Sequence, residues 1–237
     1  MIKQFIKNIL LGEKASSERF VAYLRKQGVQ IGERVRFYSP PHTLVDLSAP
    51  WLITIGNNVC ITHGVIILTH DYSWAVLKQL PDSDGVILGA QSPVKIGSNV
   101  FIGMNAVITR GVTIGDNVII GAGSVVTSDC ESGGVYAGSP ARRIMSVEEY
   151  REKRSRRQLE EAKVLVREYR ARFGKDPARE VLAEYCMLFA THREAEENPV
   201  FRKKLSSGGN HAQSVAWLRN NPPAFESYQA FLDACRD

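Results

Sequence analysis

Aliphatic residues recur at every sixth position through the middle of the chain. From Ile96 the sequence divides into IGSNVF, IGMNAV, ITRGVT, IGDNVI, IGAGSV and VTSDCE, and each hexad begins with an aliphatic residue. The fourth position is mostly Asn or Gly, and the fifth is small or β-branched. The same frame runs from Ile55 as IGNNVC, ITHGVI and ILTHDY. A period of six fits neither an α-helix nor a simple alternating strand.

A triangular prism of short parallel strands satisfies this period. The first residue of each hexad points inward, and Asn or Gly occupies the corner, where a positive φ is least costly. Three hexads complete one coil, and backbone hydrogen bonds join each coil to the next at the usual strand spacing of about 4.8 Å. The pattern predicts continuous interior files, with Ile96 on Ile114, Ile102 on Ile120 and Ile108 on Val126.

The hexads and the following VYAGSPARRI resemble the hexapeptide-repeat acyltransferases over roughly residues 29–145. The stretch from IGSNVF to SVVT is similar to the acetyl-coenzyme A-dependent branch, which includes maltose and galactoside O-acetyltransferases. APWLITIGNNVCITHGVIILTHDYSW is closer to the members that modify capsules and polysaccharides. The resemblance implies a mainly β fold, a left-handed parallel β-helix. It also implies acetyl-coenzyme A as co-substrate and a homotrimer with its sites between subunits.

Helices are predicted on both sides of the repeat. An N-terminal helical segment occupies residues 1–28, with a helix from Ser17 to Lys26 that Gly28 stops. Residues 146–237 form a C-terminal α-helical region. Its first helix opens with the capping box Ser146-Val-Glu-Glu149 and ends at Gly174, and Asp176-Pro177 starts the next helix. Residues 29–145 are the acyltransferase domain, from which a loop of about residues 73–92 protrudes.

His70 is the predicted catalytic base. It fills the corner position of ILTHDY, at the root of the inserted loop, and imidazole can accept a proton from a hydroxyl at neutral pH. The family's catalytic histidine lies just before the inserted loop, and His70 matches it, although Asp71 stands where the family usually has Pro. Asp71 either orients the imidazole or caps the loop. If the loop replaces part of one side of the prism, Asn105 shares a corner with His70, where it either bonds the substrate or the histidine or only forms the turn.

The resemblance also marks a path for coenzyme A along the C-terminal coils. Arg142 and Arg143 lie where the family often places a basic residue near the nucleotide phosphates, which a guanidinium can bind bidentately. Small residues on this path are equally suited to a tight coil. The remaining path residues are Gly103, Met104, Ala122, Ser124 and Thr127.

Several other residues compete for a functional role. His42, His63 and His70 form a loosely spaced trio that a zinc site of the gamma-class carbonic anhydrase kind would need, but no metal is expected. Cys60 has no visible partner for a nucleophilic role. Trp51, Tyr72 and Trp74 flank the expected cleft, where they either face a sugar or pack loops. The basic run from Arg151 to Arg172 is a solvated helix face, or it attracts an anionic glycan or a nucleotide-linked sugar.

Composition and charge restrict the class of protein. The chain has 237 residues, is 44% hydrophobic and carries a net charge of +5, which suits anionic small molecules but does not require nucleic acid. Four widely spaced cysteines argue against a disulfide framework and favour a reducing compartment. No segment is long and apolar enough to span a bilayer. A cytoplasmic protein is expected, with a first segment that either packs on the protein or touches a membrane.

Together these features predict an O-acetyltransferase that moves acetyl from acetyl-coenzyme A directly to a hydroxyl of a sugar or polysaccharide precursor. Two alternatives stay open. The first is N-acetylation of an amino-sugar, and the second is a hexapeptide-repeat scaffold without catalysis. Nothing in residues 73–92 identifies the acceptor, and the role of the C-terminal helices is not readable from the sequence.

Overall fold

The computed structural model describes residues 10–236. The chain divides between Tyr150 and Arg151 into two compact units. The expectation of a first segment that packs on the protein or touches a membrane falls largely on residues 1–9, outside the described range. In the part of the chain that is described, no helix is both long and apolar enough to cross a membrane.

Three parallel sheets form the sides of a prism in the first unit. The first sheet contains β1 (Gln30–Ile31), β4 (Ile53–Ile55), β9 (Val94–Ile96) and β12 (Thr113–Ile114). The second contains β2 (Arg36–Phe37), β5 (Cys60–Ile61), β10 (Val100–Ile102) and β13 (Val118–Ile120), and ends in the antiparallel hairpin of β15 (Gly134–Gly138) and β16 (Ala141–Ser146). The third contains β3 (Leu44–Val45), β6 (Ile66–Ile67), β11 (Val107–Ile108) and β14 (Val125–Val126).

The strand register confirms the predicted interior files. Ile96 pairs with Ile114, Ile102 with Ile120, and Ile108 with Val126. The files continue below the inserted loop, because Ile96 also pairs with Ile55 and Ile108 with Ile67. Each of these residues is at most 2% exposed. Burying one such aliphatic side chain contributes about 1.5–3 kcal/mol, so the files are the main source of the prism's stability.

The corners also follow the prediction. Four asparagines at the fourth hexad position have φ between 55° and 58°: Asn58, Asn99, Asn105 and Asn117. Gly64, Gly111 and Gly123 are also left-handed at the same position. Arg34 joins them with a φ of 56°, so the hexad frame begins at Ile31, ahead of the hexads recognised from Ile55. The Arg34 Nε donates to Asn58 Oδ1 at 2.5 Å, which links two successive coils.

One helix lies at the start of the prism and agrees with its prediction. It is α1, Ser17–Gln27, with Ser16 as the N-cap and Gly28 at a φ of 107° as the C-cap. Its residues Phe20, Val21 and Leu24 join the prism core. The Phe20 ring meets the edge of the Phe37 ring at 5.0 Å, and this aromatic contact ties the helix to the second sheet.

Helices make up the C-terminal region. They are α3 (Val147–Phe173), α4 (His192–Glu197), α5 (Pro199–Leu205), α6 (His211–Asn220) and α7 (Tyr228–Asp233). A 3₁₀ segment, Arg179–Leu188, precedes α4. The predicted capping box is present, since the Ser146 N–H donates to Glu149 and the Glu149 N–H donates to Ser146 Oγ. Gly174 follows the last residue of α3, as predicted.

The predicted helix start at Asp176 is wrong. The helical segment begins only at Arg179, and its N-cap, Ala178, has no side-chain cap. The Asp176 carboxylate instead accepts from Arg170 Nε at 2.5 Å, and the same guanidinium donates to the carbonyls of Leu232 and Cys235. The Asp176 carboxylate is therefore engaged in an ion pair with Arg170 of α3 and does not cap the helix.

Candidate active site

The site is built at the corner between the third and first sheets, here named the histidine corner. His70 follows β6 by three residues, and Gly111 follows β11 by three, so the pairing of Ile67 with Ile108 places them on adjacent coils. Gly111 has the left-handed φ of a regular corner, whereas His70 does not. Instead β7 (His70–Asp71) pairs antiparallel with β8 (Ala90–Gln91), and this two-residue ladder closes the neck of the inserted loop.

A buried carboxylate from the first coil holds the His70 imidazole. Asp46 follows β3, is 6% exposed, and places its Oδ2 2.6 Å from His70 Nδ1. The Ser48 hydroxyl lies 3.3 Å from the same nitrogen. With Nδ1 engaged, Nε2 is the ring nitrogen available to an external group. The imidazole is half-buried, with 35% of its side chain exposed.

Hydrogen bonds keep the Asp46 carboxylate ionised. The backbone N–H and hydroxyl of Thr69 donate to Oδ2 at 2.9 and 2.6 Å. The backbone N–H and hydroxyl of Ser48 donate to Oδ1 at 2.9 and 2.7 Å. Burial alone would raise the pKa of Asp46, but the bonds from Thr69, Ser48 and His70 outweigh it and hold that pKa well below its usual range. The anion can therefore stabilise a protonated His70.

Sequence reasoning missed Asp46 and named Asp71 for this position. The Asp71 carboxylate accepts from the Ser73 N–H at 2.7 Å and lies 3.7 Å from Arg110 Nη2. The Ser73 hydrogen bonds, followed by Arg110, lower the pKa of Asp71. Of the two alternatives raised for Asp71, its contacts are those of loop capping, and the carboxylate in contact with the imidazole is Asp46. The sequence signal for Asp46 is an acid directly after the aliphatic pair Leu44-Val45.

Aromatic side chains surround the loop neck. The Tyr72 and His70 rings are nearly perpendicular, with 6.2 Å between their centroids, and Tyr72 is 65% exposed. The Trp74 ring packs against Tyr72 at 4.8 Å, and the Lys78 ammonium lies 5.3 Å over the indole. Trp51, the third predicted aromatic, is 72% exposed in the short 3₁₀ turn Pro50–Leu52 before β4.

Asn105 does not share the corner of His70, and the conditional prediction that it would is wrong. The pairing of Ile61 with Ile102 places Asn105 level with Gly64, at the corner between the second and third sheets, here named the asparagine corner. The reason is that the loop is added at the histidine corner without replacing any side of the prism. A side chain at Gly64 would collide with Asn105 Oδ1, because the Asn105 side chain packs directly against the Gly64 backbone.

The other two histidines form a separate pair at the asparagine corner. The rings of His42 and His63 lie with their centroids 4.4 Å apart and their planes tilted by 30°, and the Ser39 hydroxyl contacts the Nδ1 of both, at 2.9 and 3.2 Å. His70 has its own partner, Asp46, at another corner. Among residues 10–236, no group of three or more His, Cys, Asp or Glu side chains is placed to hold a metal ion.

The predicted coenzyme A residues fall on several parts of the unit. Met104 and Ala122 are exposed on adjacent coils of the asparagine corner, and Gly103 packs so closely that a Cβ would meet the Ala122 nitrogen. Thr127 is exposed at the histidine corner. Arg142 and Arg143 are exposed on β16. These residues leave open surface where a thin arm and phosphates could lie.

Ser124, another predicted path residue, has a side chain that does not reach the outer surface. It occupies the fifth hexad position, is 0% exposed and points into the prism. Its Oγ has no hydrogen-bond partner among the described residues, and its carbonyl accepts from the Val107 N–H at 2.8 Å. A side chain inside the prism cannot line an outer groove.

The cysteines are poorly placed as nucleophiles. All four are free, and Cys130, Cys186 and Cys235 are buried. Burial raises the pKa of the Cys130 thiol to about 11, and it also raises the pKa of Cys186 and Cys235. Cys60 lies on the outer face of the second sheet, paired with Arg36 and Phe101 and away from the histidine corner.

Comparison with known proteins identifies the repeat. The family model for the bacterial transferase hexapeptide (six repeats) matches residues 93–128. Protein CapG of Staphylococcus aureus is 47% identical over 131 residues, which are 55% of this chain and 73% of CapG.

Two acetyltransferases are among the solved structures that match part of the chain. A maltose O-acetyltransferase from Clostridium difficile 630 is 30% identical, with 61% of this chain and 82% of that chain covered and a TM-score of 0.41. The polysialic acid-specific acetyltransferase NeuO is 28% identical, with a TM-score of 0.39, and the match covers 50% of this chain and only about half (51%) of NeuO.

Structure and comparison indicate the same hexapeptide repeat. The structural evidence is the interior files and the left-handed corners, and the comparative evidence is the matching family model and the identity to CapG. The predicted fold class, a left-handed parallel β-helix with helices before and after it, is confirmed. The chain belongs to the hexapeptide-repeat acyltransferase family.

Proposed function

We propose that this chain is an O-acetyltransferase that transfers acetyl from acetyl-coenzyme A to a hydroxyl of a sugar or polysaccharide precursor. The observation that carries the proposal is the contact between His70 Nδ1 and the buried Asp46 carboxylate at 2.6 Å. This contact fixes the ring and directs Nε2 away from Asp46, at the root of a loop on a member of an acyltransferase family.

In the proposed reaction, His70 Nε2 accepts the proton of the acceptor hydroxyl. The hydroxyl oxygen bonds to the thioester carbonyl carbon, and the carbon–sulfur bond breaks. The imidazolium, which Asp46 stabilises, then returns the proton to the departing thiolate. The high pKa of the three buried thiols favours this direct transfer over a cysteine acyl-enzyme.

Acetyl-coenzyme A is the proposed donor because open surface remains on the predicted path. Met104 and Ala122 offer an exposed strip on the asparagine corner, and the exposed guanidinium groups of Arg142 and Arg143 offer donors for phosphates. The bound donor supplies the activated acetyl group. The Ser124 side chain takes no part in holding the donor, because it lies inside the prism.

We also propose a homotrimer whose sites lie between subunits. His70 and the Met104 strip occupy different corners of one prism, with the third sheet between them. The outer face of that sheet is apolar, with Leu44, Ile66, Val107 and Val125 in register, whereas the first sheet presents Gln30, Thr54, Lys95 and Thr113. An apolar outer face favours contact with a second copy. The free cysteines support a cytoplasmic location.

Product identification tests this function. The protein is incubated with acetyl-coenzyme A and a panel of saccharides and amino-sugars, and the products are analysed by mass spectrometry and NMR before and after mild alkali. An alkali-labile acetyl ester on a sugar hydroxyl is expected. An alkali-stable amide would move the assignment to N-acetylation, and the absence of both product and coenzyme A release would leave only a scaffold.

A further inference from the structure

The aromatic side chains beside His70 have no part in the reaction steps above. Tyr72 contacts two rings, those of His70 and Trp74, and yet remains 65% exposed. A large aromatic ring held in place but open to solvent, beside a base that needs an incoming hydroxyl, has the features of a binding surface. We propose that Tyr72 is the stacking surface for the acceptor saccharide and that Trp74 positions it. This inference rests on the proposed function.

The placement of Tyr72 suits one sugar ring. Its centroid is 6.2 Å from that of the His70 imidazole, and the two planes are at 81°. A pyranose lying against the exposed part of the tyrosine ring would sit next to the imidazole and present its hydroxyls around its own edge. The face of a pyranose that carries C–H groups is apolar, so it packs on an aromatic ring while its hydroxyls stay available.

A chain of contacts holds the stacking surface at the loop neck. Trp74 begins the short helical turn α2, Trp74–Leu77, packs on Tyr72 at 4.8 Å and is only half-buried. The Lys78 ammonium lies 5.3 Å over the indole, within cation–π range. Asp71, immediately before Tyr72, is fastened to Ser73 and to Arg110 of the adjacent coil. Contacts of Asp71, which precedes Tyr72 in the sequence, and of Trp74, which follows it, therefore restrict the position of the tyrosine.

The chain offers a matched control for Tyr72. Tyr38 is 58% exposed, and the Arg36 guanidinium lies 5.3 Å over its ring. Tyr38 is therefore another exposed tyrosine in aromatic contact with a neighbour, at the end of β2 in the second sheet rather than at the histidine corner.

Steady-state kinetics with the saccharide accepted in the product assay tests the stacking role. Tyr72→Ala is expected to raise KM for the saccharide about tenfold, the size of one lost aromatic contact, and to leave KM for acetyl-coenzyme A unchanged. Tyr72→Phe and Tyr38→Ala are expected to stay near wild type. Trp74→Ala is expected to raise the saccharide KM less than Tyr72→Ala, and Trp74→Phe to restore it.

Binding without catalysis separates this inference from the proposed function. Saturation-transfer NMR with maltose and methyl β-galactoside, in the absence of acetyl-coenzyme A, is expected to show signals from sugar C–H protons that Tyr72→Ala removes and Tyr38→Ala keeps. Such a result would support the stacking surface even if no acetylated product formed. An unchanged saccharide KM in Tyr72→Ala would overturn the inference while leaving the transferase intact. A change in oligomeric mass with KM unchanged would overturn it too, in favour of a subunit contact.

Discussion

The regular corners of the prism and the histidine corner belong to the same kind of coil, but they differ in what they contain. The regular corners only turn the chain, whereas the histidine corner holds the proposed catalytic residues. At a regular corner three residues turn the chain, and a left-handed Asn or Gly completes the turn, as at Asn117 and Gly123. At the histidine corner the chain departs from the frame twice. Ile55 lies ten positions after Val45, where six would suffice, and a long loop follows His70. The first departure supplies Asp46, and the second supplies His70 and Tyr72.

Under the proposed function, this difference explains how the repeat carries its catalytic residues. The interior files fix every coil, and therefore additions at a corner leave the register undisturbed, as the pairing of Ile67 with Ile108 across the loop demonstrates. Residues added there are free of the packing demands of the prism. The first coil can thus supply a buried acid, and the second can supply the imidazole that rests on it.

Removing an interior side chain is expected to give the largest change in stability. Ile96 is 2% exposed between Ile55 and Ile114, and Ile96→Ala should lower the free energy of unfolding by about 2–5 kcal/mol. Lys95→Ala, which alters the outward neighbour on the same strand, should change it by less than about 1 kcal/mol. Hydrogen exchange of the β13 amides measures both. Equal effects of the two variants would contradict the assignment of stability to the interior files.

Asp46→Asn is expected to affect rate and stability together, unlike a change at a regular corner. The rate constant kcat should fall about 10²-fold, because the protonated imidazole loses its counter-charge. Asp116→Asn is the matched control: its carboxylate accepts from the Ser98 N–H at 2.6 Å at a regular corner, and kcat should not change. A kcat close to wild type in Asp46→Asn would remove Asp46 from the mechanism.

Asp46→Asn is also expected to change how the free energy of unfolding depends on pH. A carboxyl whose pKa is lowered by folding stabilises the native state above its ordinary pKa, and this contribution is lost as the pH falls through the folded value. Wild type should therefore exceed Asp46→Asn in unfolding free energy at pH 7. The difference should narrow only below about pH 4, the ordinary range of Asp. Acid titration of unfolding by circular dichroism measures this, and a difference independent of pH would contradict it.

The smallest expected effect concerns a single corner. Gly123 has a φ of 68° and open space around its missing Cβ, so Gly123→Ala should cost about 1–2 kcal/mol from backbone strain alone. Gly89, in the loop, also has open space but no left-handed φ, and Gly89→Ala should be neutral or slightly stabilising. Urea denaturation of the two variants compares the corner with the loop. An unchanged unfolding free energy in Gly123→Ala would show that the left-handed corner conformation does not require glycine.

The sequence predicts the fold better than the site, for a physical reason. The interior files and the corner conformations follow from a six-residue period that repeats along the coils. The position of a residue in its hexad is therefore enough to predict whether it faces inward or forms a corner. Asp46 could not be found this way, because Phe37 and Val45 are eight positions apart and the frame is lost between them. Arg34 was missed because arginine rarely adopts a positive φ, although IGERVR keeps the frame.

The errors have the same origin. Asn105 was expected beside His70 on the condition that the loop takes the place of a side of the prism, and the register places it at the asparagine corner instead. Ser124 was matched by motif to a surface path, but its position in the hexad faces inward. In both cases the hexad position decides where a residue lies, and a motif match does not.

The most direct test of the central claim is the rate of acetyl transfer by His70→Ala. Coenzyme A release with the accepted saccharide should fall 10²–10⁴-fold, the usual contribution of a general base, while the circular dichroism spectrum and the oligomeric mass stay those of wild type. Added imidazole should restore part of the rate, since the cavity left by the ring lies beside Asp46. Full activity in a folded His70→Ala protein would contradict the account.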